Sequence, residues 1–328
     1  MTEAAVSTEY PTPPNSGIEV KDERLRQLIA PDARLEQIAS GFTWTEGPLW
    51  IGDATNGMLL FSDIPNNRVH RWTAADGLSV YLQPSGFTGA YTASAESGAN
   101  GLLADPDGNL ILCQHGDRRV ARMAAPVTAP KSVFETIVAT HEGKRFNSPN
   151  DAAWAKNGDL YFTDPPYGLP GGQFDETAKE LPFQGVYRFS FRDSSLTLLT
   201  SELTRPNGIA LTPENDFLIV ANSDPKNPVW MKYPLRADGT LGPGVVFKDV
   251  SDRVPGPRHS LPDGMVMHSS GNLFASGPGG VTVFSPEGEE LGLIRTGQTT
   301  SNCTLNEEES MLYVTADSLV LRLALTQL

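Results

Sequence analysis

"SPNDAAWAKNGDLYFTDPPYGL", residues 148–169, sets an Asn-Asp pair before a short apolar run, an Asn-Gly turn signal at 157–158 and a second apolar run from Leu160 to Thr163. Two short apolar segments around a turn of this kind read as a β-hairpin. Alone, the leading Asn150 would be a turn or cap residue whose side-chain oxygen accepts from a nearby backbone N–H. The arrangement recurs along the chain, and the recurrence changes its meaning.

Aligned on the lead residue, the related segments are "EGPLWIGDATNGMLLFSD" from Glu46, "NGLLADPDGNLILCQ" from Asn100 and "NDAAWAKNGDLYFTD" from Asn150. They continue with "NGIALTPENDFLIVAN" from Asn207, "DGMVMHSSGNLFASG" from Asp263 and "NCTLNEEESMLYVTA" from Asn302. The leads are spaced 54, 50, 57, 56 and 39 residues apart. Strand-rich repeats at such a period mark propeller blades of about four strands. "RVHRW" (68–72), "VYRFSF" (186–191) and "VTVFS" (281–285) supply further strands. The expected fold is all-β, a six-bladed β-propeller. Too few residues follow Asn302 for a whole blade, so "RLEQIA" (34–39) is expected to complete it against "LVLRLAL" (319–325), closing the ring through the two chain ends.

The chain has 328 residues, with 31 Gly and 26 Pro, and lacks long helical periodicity, all in keeping with short strands and many turns. Residues 1–20 are expected to form a flexible arm, 21–29 a short helix outside the blades, and 21–328 a single domain. Two long Gly- and Pro-rich insertions, 164–185 and 251–262, are candidates for shaping a binding site. A net charge of −14 with no basic cluster argues against nucleic acid as a partner. No window approaches the ~18 apolar residues of a membrane span. The N-terminus lacks the basic and apolar regions of a signal peptide, so a cytoplasmic protein is expected, with periplasm or secretion left open. Cys113 and Cys303 have no partner motif and read as small apolar strand residues. Oligomeric state is not readable.

On a propeller, equivalent leads form a ring at one mouth of the central channel. That ring comprises Glu46, Asn100, Asn150, Asn207, Asp263 and Asn302, all oxygen donors with neither sulfur nor imidazole. Such a ring suits one hard divalent cation, calcium first, with magnesium, manganese or zinc as alternatives. Two carboxylates, Glu46 and Asp263, would nearly neutralise it.

At "GFTWTEGPLW", "SPNDAAW", "RPNGIAL" and "LPDGM" the chain resembles the gluconolactonase, regucalcin and senescence-marker-protein family of six-bladed propellers, from about residue 22 to the C-terminus. The resemblance implies Glu46, Asn150, Asn207 and Asp263 as ligands of one divalent ion, and hydrolysis of a sugar lactone as the activity. Regucalcin-like members carry Arg two residues before the Asn equivalent to Asn150, where this chain has Ser148. "CQHGDRRV" and "TDPPYGL" look more like the bacterial and fungal gluconolactonase branch.

A bound cation would polarise the lactone carbonyl, with Asp263 the residue expected to handle the proton of the attacking water. Asn100, Asn302, His115 and Tyr167 are the candidate substrate-binding residues. His259 is placed near the entrance, while Trp44, Trp50 and Trp154 read as core aromatics. A G-x-S-x-G nucleophile elbow is missing. Aryl-ester or phosphotriester hydrolysis on the same scaffold is one alternative function, and a non-enzymatic calcium-binding propeller is another.

Overall fold

The second strand of each hairpin is apolar because it is covered on both faces: every residue of Leu110–Gln114, Leu160–Asp164 and Leu273–Gly277 is buried. Further out, strands such as Arg119–Met123 begin to alternate. The outermost carry exposed apolar side chains, Leu78 and Val80 on one blade and Val245 and Val246 on another. This inside-to-outside gradient is what radial packing of sheets demands.

The computed structural model describes residues 10–53, 56–89, 95–254 and 260–327. Blade 1 holds Thr45–Ile51, Met58–Asp63, Arg68–Thr73 and Gly77–Leu82, in that order from the axis. Blade 2 holds Ala99–Ala104, Leu110–Gln114, Arg119–Met123 and Phe134–Val138. Blade 3 is Ala152–Trp154, Leu160–Asp164, Gly185–Ser190 and Ser195–Thr200; blade 4 is Pro206–Leu211, Phe217–Asp224, Asn227–Pro234 and Val245–Asp249. Blade 5 runs Met265–Met267, Leu273–Gly277, Gly280–Phe284 and Glu290–Arg295. Blade 6 begins with Thr300–Leu305, Met311–Ala316 and Leu319–Ala324. Each innermost strand touches the next around a closed ring, giving a six-bladed β-propeller.

Six apolar clusters lie one between each pair of adjacent blades, and each is a separate small core. Cys113 and Cys303 are buried strand residues in two of them, as expected of small apolar side chains. Closure follows the expected route. Glu36–Ser40 pairs antiparallel with Leu319–Ala324 as the outer strand of blade 6, and Arg322 Nε donates to Glu36 Oε2 at 2.7 Å.

The expected arm is corrected in part. Gly17–Val20 pairs with Glu290–Arg295 as a fifth strand of blade 5, and Tyr10 packs edge-on to Trp72. Residues 1–9 lie outside the described residues. The helix Leu25–Leu28 buries Leu25 and Leu28 against blades 5 and 6.

Hydroxyls tie the blades together near the axis. Ser62 Oγ donates to Asn100 O at 2.8 Å, Thr163 Oγ1 to Asn207 O at 2.7 Å, Ser276 Oγ to Ser301 O at 2.6 Å and Ser301 Oγ to Thr45 O at 2.7 Å. Each bond links one blade to the inner strand of the next and satisfies a buried carbonyl. The Gly after a lead serves the same approach. A Cβ on Gly208 would lie 2.2 Å from Asp263 O, and one on Gly264 1.9 Å from Asn302 Cγ.

Candidate functional site

The inner strands break register where the leads sit. Bulges fall between Glu46 and Leu49, Ala99 and Leu102, Pro206 and Ile209, and Thr300 and Asn302. A bulge re-aims a side chain out of the ladder. Five leads, three at such bulges (Glu46, Asn100 and Asn207) and two just before an inner strand (Asn150 and Asp263), line one cavity of about 240 Å³ at the mouth of the channel. All but Asp263 are more than nine-tenths buried by accessible surface.

The hydrogen bonds orient the amides. Asn207 Nδ2 donates to Ser223 Oγ at 3.0 Å, and that hydroxyl donates in turn to Pro262 O. Asn150 Nδ2 lies 3.4 Å from His115 Nε2. With its nitrogen side engaged, each Asn leaves its oxygen to the cavity. Among the described residues, Asn100 Oδ1, Asn150 Oδ1 and Asp263 Oδ1 are buried without a hydrogen-bond partner. Buried oxygens are rarely left this way, and three in one cavity need a shared partner that accepts oxygen ligands.

Charge points the same way. Burial pushes Glu46 up to about 8, assisted by Asp151 and opposed by the Gly47 N–H and the Asn302 amide. Burial likewise raises Asp263, with Glu46 and Asp151 adding repulsion. Asp151, beside Asn150, is held up to about 7 by burial. No Lys or Arg lines the cavity among the described residues. A divalent cation would offset this negative charge and satisfy the orphaned oxygens together, so the residues fit such an ion. The donors are two carboxylates and Asn amides; no group of three or more His, Cys, Asp or Glu suited to a metal occurs among the described residues. Oxygen-only donors favour calcium, magnesium or manganese over zinc, which prefers imidazole and thiolate.

The other sequence candidates separate. Asn302 does not line the cavity. Its Nδ2 donates to Glu46 Oε2 at 3.2 Å and its oxygen accepts from Cys303 N at 2.8 Å, so it positions Glu46 and has its own oxygen committed. His115 is fully buried and stands behind Asn150 instead of at the cavity wall. Burial lowers it to about 4, opposed by the Glu96 main-chain carbonyl, so it is neutral near pH 7. Both were expected as substrate-binding residues; neither reaches the cavity. Tyr167 does line it, with a hydroxyl raised by burial and by Asp263.

Ser148 is buried away from the cavity. Its Oγ donates to Pro165 O at 2.6 Å and accepts from Gly168 N at 2.9 Å, pinning the start of the 164–185 insertion. His259 lies outside the described residues. Trp50 stacks on Tyr313 at 4.9 Å and Trp154 packs against Phe191 at 5.5 Å, as packing residues. Trp44, expected in the core, lines the cavity instead.

Glu96, Gln173 and Ser223 also line the cavity and were not foreseen. Ser223 had a signal. Near its end the second strand of each hairpin carries a polar residue, Ser62, Gln114, Thr163, Ser223, Ser276 and Thr315. Glu96 and Gln173 lie on loops outside the repeat, where phase says nothing.

Residues 44–318 match the SMP-30/Gluconolactonase/LRE-like region. The gluconolactonase of Zymomonas mobilis is 40% identical over 306 residues, covering 91% of this chain and 83% of that protein. A solved gluconolactonase structure from Xanthomonas campestris superposes with a TM-score of 0.81 at 30% identity, covering 98% of this chain and 99% of that one. The calcium-binding protein regucalcin of Agrobacterium tumefaciens, at 17% identity, shares the fold with a TM-score of 0.66 over 95% of both chains. A family match across residues 44–318, with 40% identity to a gluconolactonase over 91% of the chain, makes this chain a member of the SMP-30/gluconolactonase/LRE-like family.

Proposed function

We propose that the protein is a sugar lactonase that opens a gluconolactone-like ring and depends on one divalent cation, calcium by preference, with Glu46, Asn150, Asn207 and Asp263 as its ligands. The observation that carries this reading is the set of buried, partnerless oxygens of Asn100, Asn150 and Asp263 in a single small cavity. Similarity to gluconolactonases over nearly the whole chain supports the lactone as substrate.

A bound cation would supply Lewis-acid polarisation of the lactone carbonyl. The chain's own residues do the rest. Asp263, on the cavity wall, is the carboxylate that takes the proton from the attacking water. Addition of the water oxygen to the carbonyl carbon is followed by cleavage of the ring C–O bond. The proton then passes from Asp263 to the departing ring oxygen, giving a hydroxy acid. Asn302 and the Gly47 N–H hold Glu46 in place, while Ser223 and His115 fix the amides of Asn207 and Asn150. Tyr167, neutral near pH 7, offers a hydroxyl at the wall.

The test is proton release from sugar lactones, with one aryl ester as comparison, by chelator-stripped protein before and after divalent ions are restored. Cation-restored lactone turnover that disappears in Asp263→Ala is the expected result. Full lactone turnover by stripped protein would remove the cation from the reaction. Turnover of the aryl ester alone would move the activity to a different ester.

A further inference from the structure

The cavity contains more acceptor capacity than one cation uses. Glu96 lies four residues before Asn100, on the loop leading into blade 2, and its side chain lines the cavity together with Trp44 and Gln173. Among the described residues its carboxylate has no ion-pair or hydrogen-bond partner, and burial alone raises it to about 7. It is near enough to Glu46 and Asp263 for its charge to raise both. A half-buried carboxylate kept without a donor is a cost that a ligand bringing donors would remove.

The chemistry of that ligand is restricted by the rest of the wall. Two carboxylates of the lead ring already balance a divalent ion, so a second cation is not required. A negatively charged ligand would meet no Lys or Arg. Neutral hydroxyls remain. Gln173, from the 164–185 insertion, adds an amide that both donates and accepts, and Trp44 adds a flat apolar face. A carboxylate, an amide and an aromatic face match a ring with hydroxyls on its edge and C–H groups on its face. The cavity, about 240 Å³, is smaller than the roughly 300–1,000 Å³ of drug-sized sites and suits a single small ring.

We propose that Glu96, with Gln173 and Trp44, forms a polyol-recognition subsite that selects hydroxylated lactones over plain ones, Glu96 accepting hydrogen bonds from ring hydroxyls of the substrate. This rests on the lactonase reading above. A plain lactone brings no donor and leaves Glu96 unpaired, which is the arrangement by which a polar site rejects an analogue.

The experiment compares kcat/KM for glucono-δ-lactone and for δ-valerolactone, the same ring without hydroxyls, in the full-length, cation-loaded protein. Glu96→Ala is expected to lower the ratio of the two values about thirtyfold, chiefly through KM for the sugar lactone. Glu96→Gln, which keeps size and some accepting capacity, is expected to lower it about tenfold, and it carries the test if the alanine variant does not fold. An equal loss on both lactones, or an unchanged ratio, overturns the subsite. Wild-type protein inactive on both lactones is a different result, and it overturns the lactonase reading and the subsite with it.

Discussion

The two ends of the hairpins carry the same side-chain types, and at three of the leads the two ends treat them in opposite ways. At the outer turns, Asp105 accepts from the Asp107 and Asn109 main-chain N–H groups at 3.0 and 2.8 Å and faces Arg122 at 3.3 Å. Asp159 accepts from Asn157 Nδ2 at 2.9 Å and from Arg188 Nε at 2.6 Å. Asn306 accepts from Met311 N at 2.7 Å and donates to Ser310 Oγ at 3.0 Å. At the channel mouth one side-chain oxygen each of Asn100, Asn150 and Asp263 is buried with no partner. An Asp paired with local N–H groups and an Arg holds a turn; an Asp with a buried, idle oxygen in the cavity holds something else. Residue type alone does not separate structure from function in this chain; partnerless buried oxygens gathered in one cavity do.

The largest effect is expected where the contrast is sharpest. Asp263→Ala should reduce lactone kcat/KM by about 10³-fold with the fold retained, as read by proton release and circular dichroism. A drop below tenfold would mean that the idle oxygen of Asp263 is not used in catalysis.

A second test is thermodynamic. Without a cation, Glu46 holds its proton up to about pH 8, against an ordinary value near 4.5, so the folded state binds a proton that the unfolded chain has released. The stability this confers is full below about 4.5 and is lost as pH rises through about 8. Melting temperature of the cation-free protein should therefore fall between pH 5 and pH 8. Stabilisation by added calcium should grow over the same interval, since binding requires the carboxylates ionised. Calcium stabilisation that weakens with rising pH would contradict the ligand assignment.

Asn302 sharpens the comparison, because it belongs to the lead ring by sequence but is satisfied like a turn residue. Acting through Glu46, Asn302→Ala should weaken calcium binding about tenfold, measured by calorimetry, while Asn150→Ala should weaken it more. Equal losses would erase the distinction between a ligand and its support. The smallest effect on activity belongs to the outer turns. Asp159→Ala should cost about 1–3 kcal/mol in denaturant unfolding and leave cation affinity and lactone turnover unaltered. A change in turnover would show that the two ends of the hairpin are coupled.

Much of the fold was legible because a propeller is written locally. Each blade repeats the order of lead, strand, turn and strand, and hydrophobic runs such as Leu110–Gln114 need only their own neighbours to be read as buried strands. Closure at Glu36–Ser40 and Leu319–Ala324 followed from counting residues in an incomplete blade. The boundary at residue 20 was missed because Gly17–Val20 joins a blade already complete at four strands, and a supernumerary edge strand leaves no gap in the repeat. Of the lead ring, phase identified all six positions but could not tell which would reach the cavity. His115 was expected at the substrate, yet packing puts it behind Asn150.

The sequence by itself determined the blade count, the closure and the candidate ring of oxygen donors, since all three are periodic and a period survives divergence. Tertiary structure alone decided which oxygens stay idle, that Asn302 serves Glu46, and that Glu96, Gln173 and Trp44 share the cavity wall. The physical reason is range. Strand patterning is set by residues two apart, whereas the satisfaction of a buried oxygen depends on donors brought from other blades, 256 positions away in the case of Asn302 and Glu46.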